Sequence, residues 1–195
     1  MNISLIVAVV AVLLIYLVVR ARGRAPKSPN EAASAVSKPS PEVVYQGLRN
    51  MVLHGTRDRF GLASPKSPTE PWGIVMDWGV PNGTATVMAL SDGSASIYMS
   101  GGGGFLGGQK QESVRAAAHL AVETAAKFQP QMRATTDYML PVSGEVIFYV
   151  LTDSGVFTAS DKEEELRKPG HPLLKLGNAM QNVITQYRIL EEWKK

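Results

Sequence analysis

Two turn signals cut the stretch 72–99 into short β-forming runs, and no other feature restricts the fold as tightly. Pro81-Asn82-Gly83 and Ser91-Asp92-Gly93 both combine residues that preset or tolerate turn dihedrals. The runs between them predict strands at Gly73–Val80, Thr84–Leu90 and Ala95–Ser100, joined as an antiparallel meander. Alternation along the first puts Ile74, Met76, Trp78 and Val80 on one face. Ala85, Ala89, Ala95 and Ser96 are small, so a second backbone is expected to pack close to this sheet.

The meander runs into Ser100-Gly-Gly-Gly-Gly-Phe-Leu-Gly-Gly-Gln-Lys110, and a helix is expected beyond it from Gln111 to Phe128. Val114, Ala117, Ala118, Ala121, Val122, Ala125 and Phe128 give that helix a face suited to close packing, and Pro130 stops it. After a loop with Asp137 and Pro141, Val146–Leu151 is continuously apolar and predicts a central strand over Glu145–Thr152. Asp153-Ser154-Gly155 turns it into Val156–Ala159. Ser160 and Glu163 have capping-box spacing and predict a short acidic helix to about Arg167, broken by Pro169-Gly170.

Helices also bracket the domain. Ser40 suits an N-cap, Pro41 the first turn and Glu42 the positive end of the helix dipole. Val44, Leu48, Met51 and Val52 mark an apolar face, and His54-Gly55 ends the helix with Gly55 in the C′ role. The loop Arg57–Pro71 carries Pro65, Pro68 and Pro71. The last helix is expected from Pro172 to Trp193. Its stripe Leu173, Leu176, Met180, Val183, Tyr187 and Leu190 suits core packing, with a dimer or partner face as the alternative.

This order predicts an α+β domain over residues 40–195: an antiparallel sheet of about five strands, meander plus hairpin, covered by helices on at least one face. In element order the chain distantly resembles the roadblock, longin and profilin-type layered folds. Those split their strands two and three around the middle helix, whereas three and two are expected here. No motif is specific to such a family, and no residue role follows from the resemblance.

Ile3–Val19 is apolar apart from Ser4 and Tyr16 and, as a helix, would span about 25 Å. No Lys or Arg precedes it, while Arg20, Arg22 and Arg24 follow at once. That order favours an uncleaved transmembrane anchor in the cell membrane over a signal peptide, with the N-terminus outside and the domain cytoplasmic. The three arginines are topology signals that can also meet anionic headgroups. Residues 20–39, rich in Ala, Ser, Pro and Lys, read as a flexible linker. This segment carries a charge of +4, which accounts for the formal +3 of the whole chain. Residues 41–195 hold slightly more acidic than basic side chains, so nucleic acid is not an expected partner. With no cysteine, thiol catalysis, thiolate metal sites and disulfides are excluded.

Gly102, Gly104 and Gly107 match G-x-G-x-x-G between a predicted strand and a helix. With Gly108, Gln109 and Lys110 they form the candidate site for an anionic group such as a nucleotide or phosphate, through amide donors and one cation. The setting departs from a dinucleotide fold, because an antiparallel strand precedes the glycines and no acidic residue closes a second strand. A connector, or an edge on which a partner backbone lies, is the competing reading. His119 and Glu123 share a helix face, but no further ligand accompanies them and no metal or cofactor is expected. The sequence thus points to a non-enzymatic, membrane-tethered interaction or assembly module with a protein partner or a second copy. An anionic-ligand sensor is the alternative, and an enzyme whose carboxylates meet only in the fold is the weaker one.

Overall fold

β1 (Gly73–Val80) is the middle strand of the one sheet found among the described residues, 38–192 of a computed structural model. The expected anchor and the linker up to residue 37 lie outside the described residues. Among the described residues no helix is long and apolar enough to cross a membrane.

The chain enters through α1 (Pro41–Leu53) and a 3-10 turn, Arg57–Phe60. β1, β2 (Gly83–Leu90), β3 (Ala95–Met99) and β4 (Gly104–Leu106) then follow as a meander. Next come α2 (Glu112–Phe128), β5 (Arg133–Thr135), β6 (Glu145–Thr152) and β7 (Gly155–Lys162). A single turn, α3 (Glu163–Leu166), and the long α4 (Leu174–Glu192) close the fold. The sheet has seven strands in the order β4-β3-β2-β1-β6-β7-β5, and every neighbouring pair is antiparallel.

An α+β fold on an antiparallel sheet is therefore present, but the expected strand count of about five is too low. Four strands precede α2 and three follow it. Both additional strands are three residues long and lie at the sheet's edges. β4 hides inside the glycine run, yet it pairs Phe105 with Ile97 and stacks the Phe105 ring on Tyr187 at 5.1 Å between centroids. β5 is a polar edge strand with no apolar periodicity to announce it.

Strand pleating sorts the side chains into two cores. Register pairs Ile74 with Val150 and Met76 with Phe148, and these turn to the layer formed by α2 and α4. Ala117, Ala118, Ala121 and Ala125 let α2 sit close to the sheet, and Leu176, Met180, Val183 and Tyr187 fill in from α4. The stripe on the last helix is thus a core stripe. Val75, Met88, Leu90, Ile147, Tyr149 and Leu151 turn to the opposite face, where Val52 and Leu53 of α1, Leu62 and Trp72 cover them.

Three further expectations are corrected. The predicted apolar face of α1 is rotated by about one position: Tyr45, Arg49, Val52 and Leu53 are buried, while Val44 and Met51 are exposed. Burial here is decided by polar partners on the sheet and not by hydropathy alone. Gly55 does not end α1 in a left-handed conformation. It is small because a Cβ there would meet the Met51 carbonyl oxygen and the Phe60 ring, each at 2.6 Å. The expected helix from Ser160 is also displaced. β7 runs on to Lys162 because β6 pairs with it as far as Glu145, so Ser160 sits in the ladder opposite Ile147 and cannot cap.

Candidate functional site

The glycine run is built into the sheet edge. The β3–β4 turn holds Gly102 at φ 100° and Gly103 at φ 87°, a region closed to most side chains. Gly102 N–H donates to the Met99 carbonyl at 2.9 Å, and Met99 N–H donates to Gly103 at 3.2 Å. Gly104 at φ 141° lies so close to β3 that a Cβ would stand 2.1 Å from the Ile97 carbonyl oxygen. Gly107 N–H donates to Ser96 Oγ at 3.2 Å. Gly108 is buried, and a Cβ on it would meet Val114 Cγ1 at 2.3 Å and the Tyr187 hydroxyl at 2.5 Å.

The candidate residues thus divide into two groups. Gly102 and Gly104 shape a hairpin, whereas Gly107, Gly108, Gln109 and Lys110 form a 3-10 turn leading to α2. Gln109 Nε2 donates to the Asp92 carbonyl and carboxylate, both at 3.2 Å, tying this turn to the β2–β3 turn. Lys110 is exposed. The amides of Gly102 and Gly107 already donate within the fold, so any anion would meet the loop through its remaining donors and Lys110. Arg20, Arg22 and Arg24 lie outside the described residues.

Beneath α1 is a polar cluster that the sequence does not announce. Asp77, in the middle of β1, is fully buried, and Arg49 from α1 is 5 % exposed. Arg49 Nε donates to Asp77 Oδ2 at 2.8 Å, and a terminal guanidinium nitrogen stands 2.6 Å from the same oxygen. Thr86 Oγ1 donates to Asp77 Oδ1 at 2.5 Å, and the Tyr45 hydroxyl is 2.9 Å from Thr86. Arg49 also donates to the carbonyls of Tyr138 and Met139, at 2.9 and 3.2 Å, and lies over the Tyr149 ring. Among the described residues no buried side-chain polar atom lacks a partner.

Burial pushes the Asp77 carboxyl up, against the lowering by Arg49 and Thr86. For Arg49 burial is the largest single influence and acts downwards, but the hydrogen bond and charge of Asp77, with Tyr149 and Tyr45, together raise it. Burial weighs differently on the two partners. An arginine does not give up its proton, so a neutral Asp77 would strand a buried cation. The pair is therefore read as ionised.

No family model, curated protein or solved structure matches this chain.

Carboxylates do converge in one open groove of about 580 Å³, lined by Val142–Glu145, Lys162, Glu163, Glu164 and Arg167. Two of them already have local tasks. Glu163 accepts from Trp78 Nε1 at 2.8 Å and pairs with Arg167, and Glu145 accepts from the Val142 amide at 3.1 Å. A smaller cavity of about 260 Å³ lies against the sheet beside α4, with Met76, Val146, Phe148 and Leu174 among its walls. Histidines stand apart. His54 meets Tyr138 edge to face, and His171 is 3.1 Å from Asp161. Among the described residues no group of three or more His, Asp or Glu side chains could hold a metal ion.

Two surface features remain. β4 ends the sheet, and Leu106 on it is 58 % exposed. In the α1 layer Val43, Val44 and Met51 on the helix and Met139 and Leu140 on the loop before β6 are exposed apolar side chains.

Proposed function

We propose that the chain is a membrane-tethered, non-catalytic interaction module facing the cytoplasm, which takes an extended segment of a protein partner along β4. The observation that carries this reading is the sheet edge itself. β4 is a three-residue strand at the end of the sheet order, with an exposed leucine and glycines on both sides. An edge strand offers backbone hydrogen bonds to an incoming strand, and exposed side chains beside it select the partner. Gly101 and Gly103 in the adjoining turn have open space around them, where another backbone can approach. The partner's matching chemistry is a short β-prone segment with an apolar residue to cover Leu106.

The anionic-ligand reading has weaker support, because two of the amides it needs already donate within the edge. A photoreactive amino acid at position 101 of the full-length protein, in the exposed turn before β4 where a side chain meets nothing within 4 Å, tests the proposal in native membranes. Adducts mapping to an extended segment of one protein, lost when Leu106→Pro blocks pairing, are the expected result. A second copy of the chain as that protein would make the module an assembly device. Adducts that survive Leu106→Pro, or none at all, would overturn edge pairing.

A further inference from the structure

We infer that the outer face of α1, together with Met139 and Leu140 of the loop before β6, lies against the surface of the bilayer that the chain's own anchor enters. This inference rests on the membrane-anchor part of the function proposed above. It does not depend on the β4 edge.

α1 is apolar on two sides. Tyr45, Arg49, Val52 and Leu53 turn to the sheet. On the opposite side, helical spacing brings Val43, Val44, Gly47, Leu48 and Met51 into one stripe. Val43 is 61 % exposed, Val44 46 % and Met51 37 %, and a Cβ on Gly47 would meet nothing within 4 Å. The stripe carries no charge, and Glu42 and Gln46 bond to each other along its flank at 2.8 Å.

The neighbouring loop continues this surface. Arg49 donates to the carbonyls of Tyr138 and Met139, and His54 packs on Tyr138, which holds the loop beside α1 in the same layer. From it Met139 is 68 % exposed and Leu140 41 %. An apolar surface assembled from two elements is more than the scatter of single residues found on any protein.

The place of α1 in the chain selects the occupant. The helix starts at Pro41, directly after the linker of residues 20–39 that separates it from the apolar run Ile3–Val19. A 20-residue chain of the composition expected of a linker would have a root-mean-square reach of roughly 25 Å, short enough for α1 to meet the headgroups. A helix with an uncharged apolar stripe, held at that distance, is suited to lie in the interface plane. Its attraction comes from apolar insertion and not from basic side chains on the stripe.

The chain has no native cysteine, so single cysteines report position by position. Full-length protein is reconstituted in vesicles of phosphatidylcholine and phosphatidylglycerol, with a nitroxide label at Val44→Cys, Met51→Cys or Leu140→Cys. Val10→Cys in the expected anchor and Glu123→Cys on the exposed face of α2 serve as references. Labels at 44, 51 and 140 are expected to lose contact with a water-soluble nickel relaxant and to gain contact with dissolved oxygen, as at position 10. The label at 123 stays aqueous. If 44, 51 and 140 behave like 123 while 10 is shielded, the docking inference is overturned and the anchor stands. An aqueous label at position 10 overturns the anchor and the inference together. Labels at 44, 51 and 140 shielded from both relaxants, and freed on dilution into more lipid, would assign the face to a second copy and overturn the bilayer as its occupant.

Discussion

Arg49 and Asp77 carry a large energetic stake at one point of the fold. An ion pair inside a fold gains little over a well-packed apolar pair, but removing one member strands the other without water. Arg49→Met is expected to lower stability by about 3–5 kcal/mol, read as a shift in urea midpoint of the full-length protein in mild detergent. Adding Asp77→Leu is expected to return most of that loss, and equal damage from the single and double variants would show that the pair is not the cause. Gly108 makes a steric prediction of the same kind. A Cβ would press on Val114 and Tyr187, so Gly108→Ala is expected to cost about 1–3 kcal/mol by overpacking. Tyr187 also gives a pH dependence. Burial pushes its phenol from 10.0 up to about 12, against the pull of the Gly108 backbone. Burial does the same for Tyr149, with the Asp77 charge adding to it. A folded-state value above the unfolded one means that the folded state holds its proton longer. The stability it confers is complete below pH 10.0 and is lost as pH rises towards about 12. Urea midpoints should therefore fall through that window, and Tyr187→Phe should make the fall shallower.

At the scale of elements, the caps and turns that the sequence spells out differ in how much they carry. Ser40 Oγ accepts from the Val43 amide at 3.3 Å, so Ser40→Ala is expected to cost about 1 kcal/mol and to speed amide exchange in the first turn of α1. Gly104→Ala should be worse, because its φ and the nearby Ile97 carbonyl both oppose a side chain. Loss of amide protection across β3–β4 is the expected readout. That variant removes the hairpin and so cannot serve as a clean test of anion binding. Lys110→Ala, on an exposed residue, can. The central strands were legible because their chemistry is local. Pro81-Asn82-Gly83 marks a turn in which Asn82 adopts φ 67°, and the bounds of β1 and β6 follow from their apolar runs. β4 and β5 were not legible, because a three-residue edge strand is defined by its partner more than by its own residues. The rotation of α1 was hidden for a related reason. Tyr45 and Arg49 count as polar in any periodicity, and only the positions of Thr86 and Asp77 on the sheet make their burial favourable. An aspartate in the middle of an apolar strand was the one available signal, and it names no partner.

Across the whole molecule, the sheet separates two unlike layers. The α2–α4 layer is closed by small side chains and aliphatic packing, while the α1 layer rests on a polar cluster and leaves apolar side chains outside. Both edge strands are short, which limits the sheet's capacity to recruit further chains without end. A partner bound at β4 would thus extend the sheet once.

The joint between α1 and the sheet has a mechanical consequence. The helix has no backbone ladder to the strands. Side chains hold it, chiefly Tyr45 on Thr86, Arg49 on Asp77, and the pair Val52 and Leu53. It is also the first element of the described residues. Tension applied through the N-terminal segment would load this helix before any strand, and the Arg49–Asp77 contact would act as its latch. Peeling α1 away would leave the seven strands paired and uncover Asp77, so the domain is built to yield at one seam first.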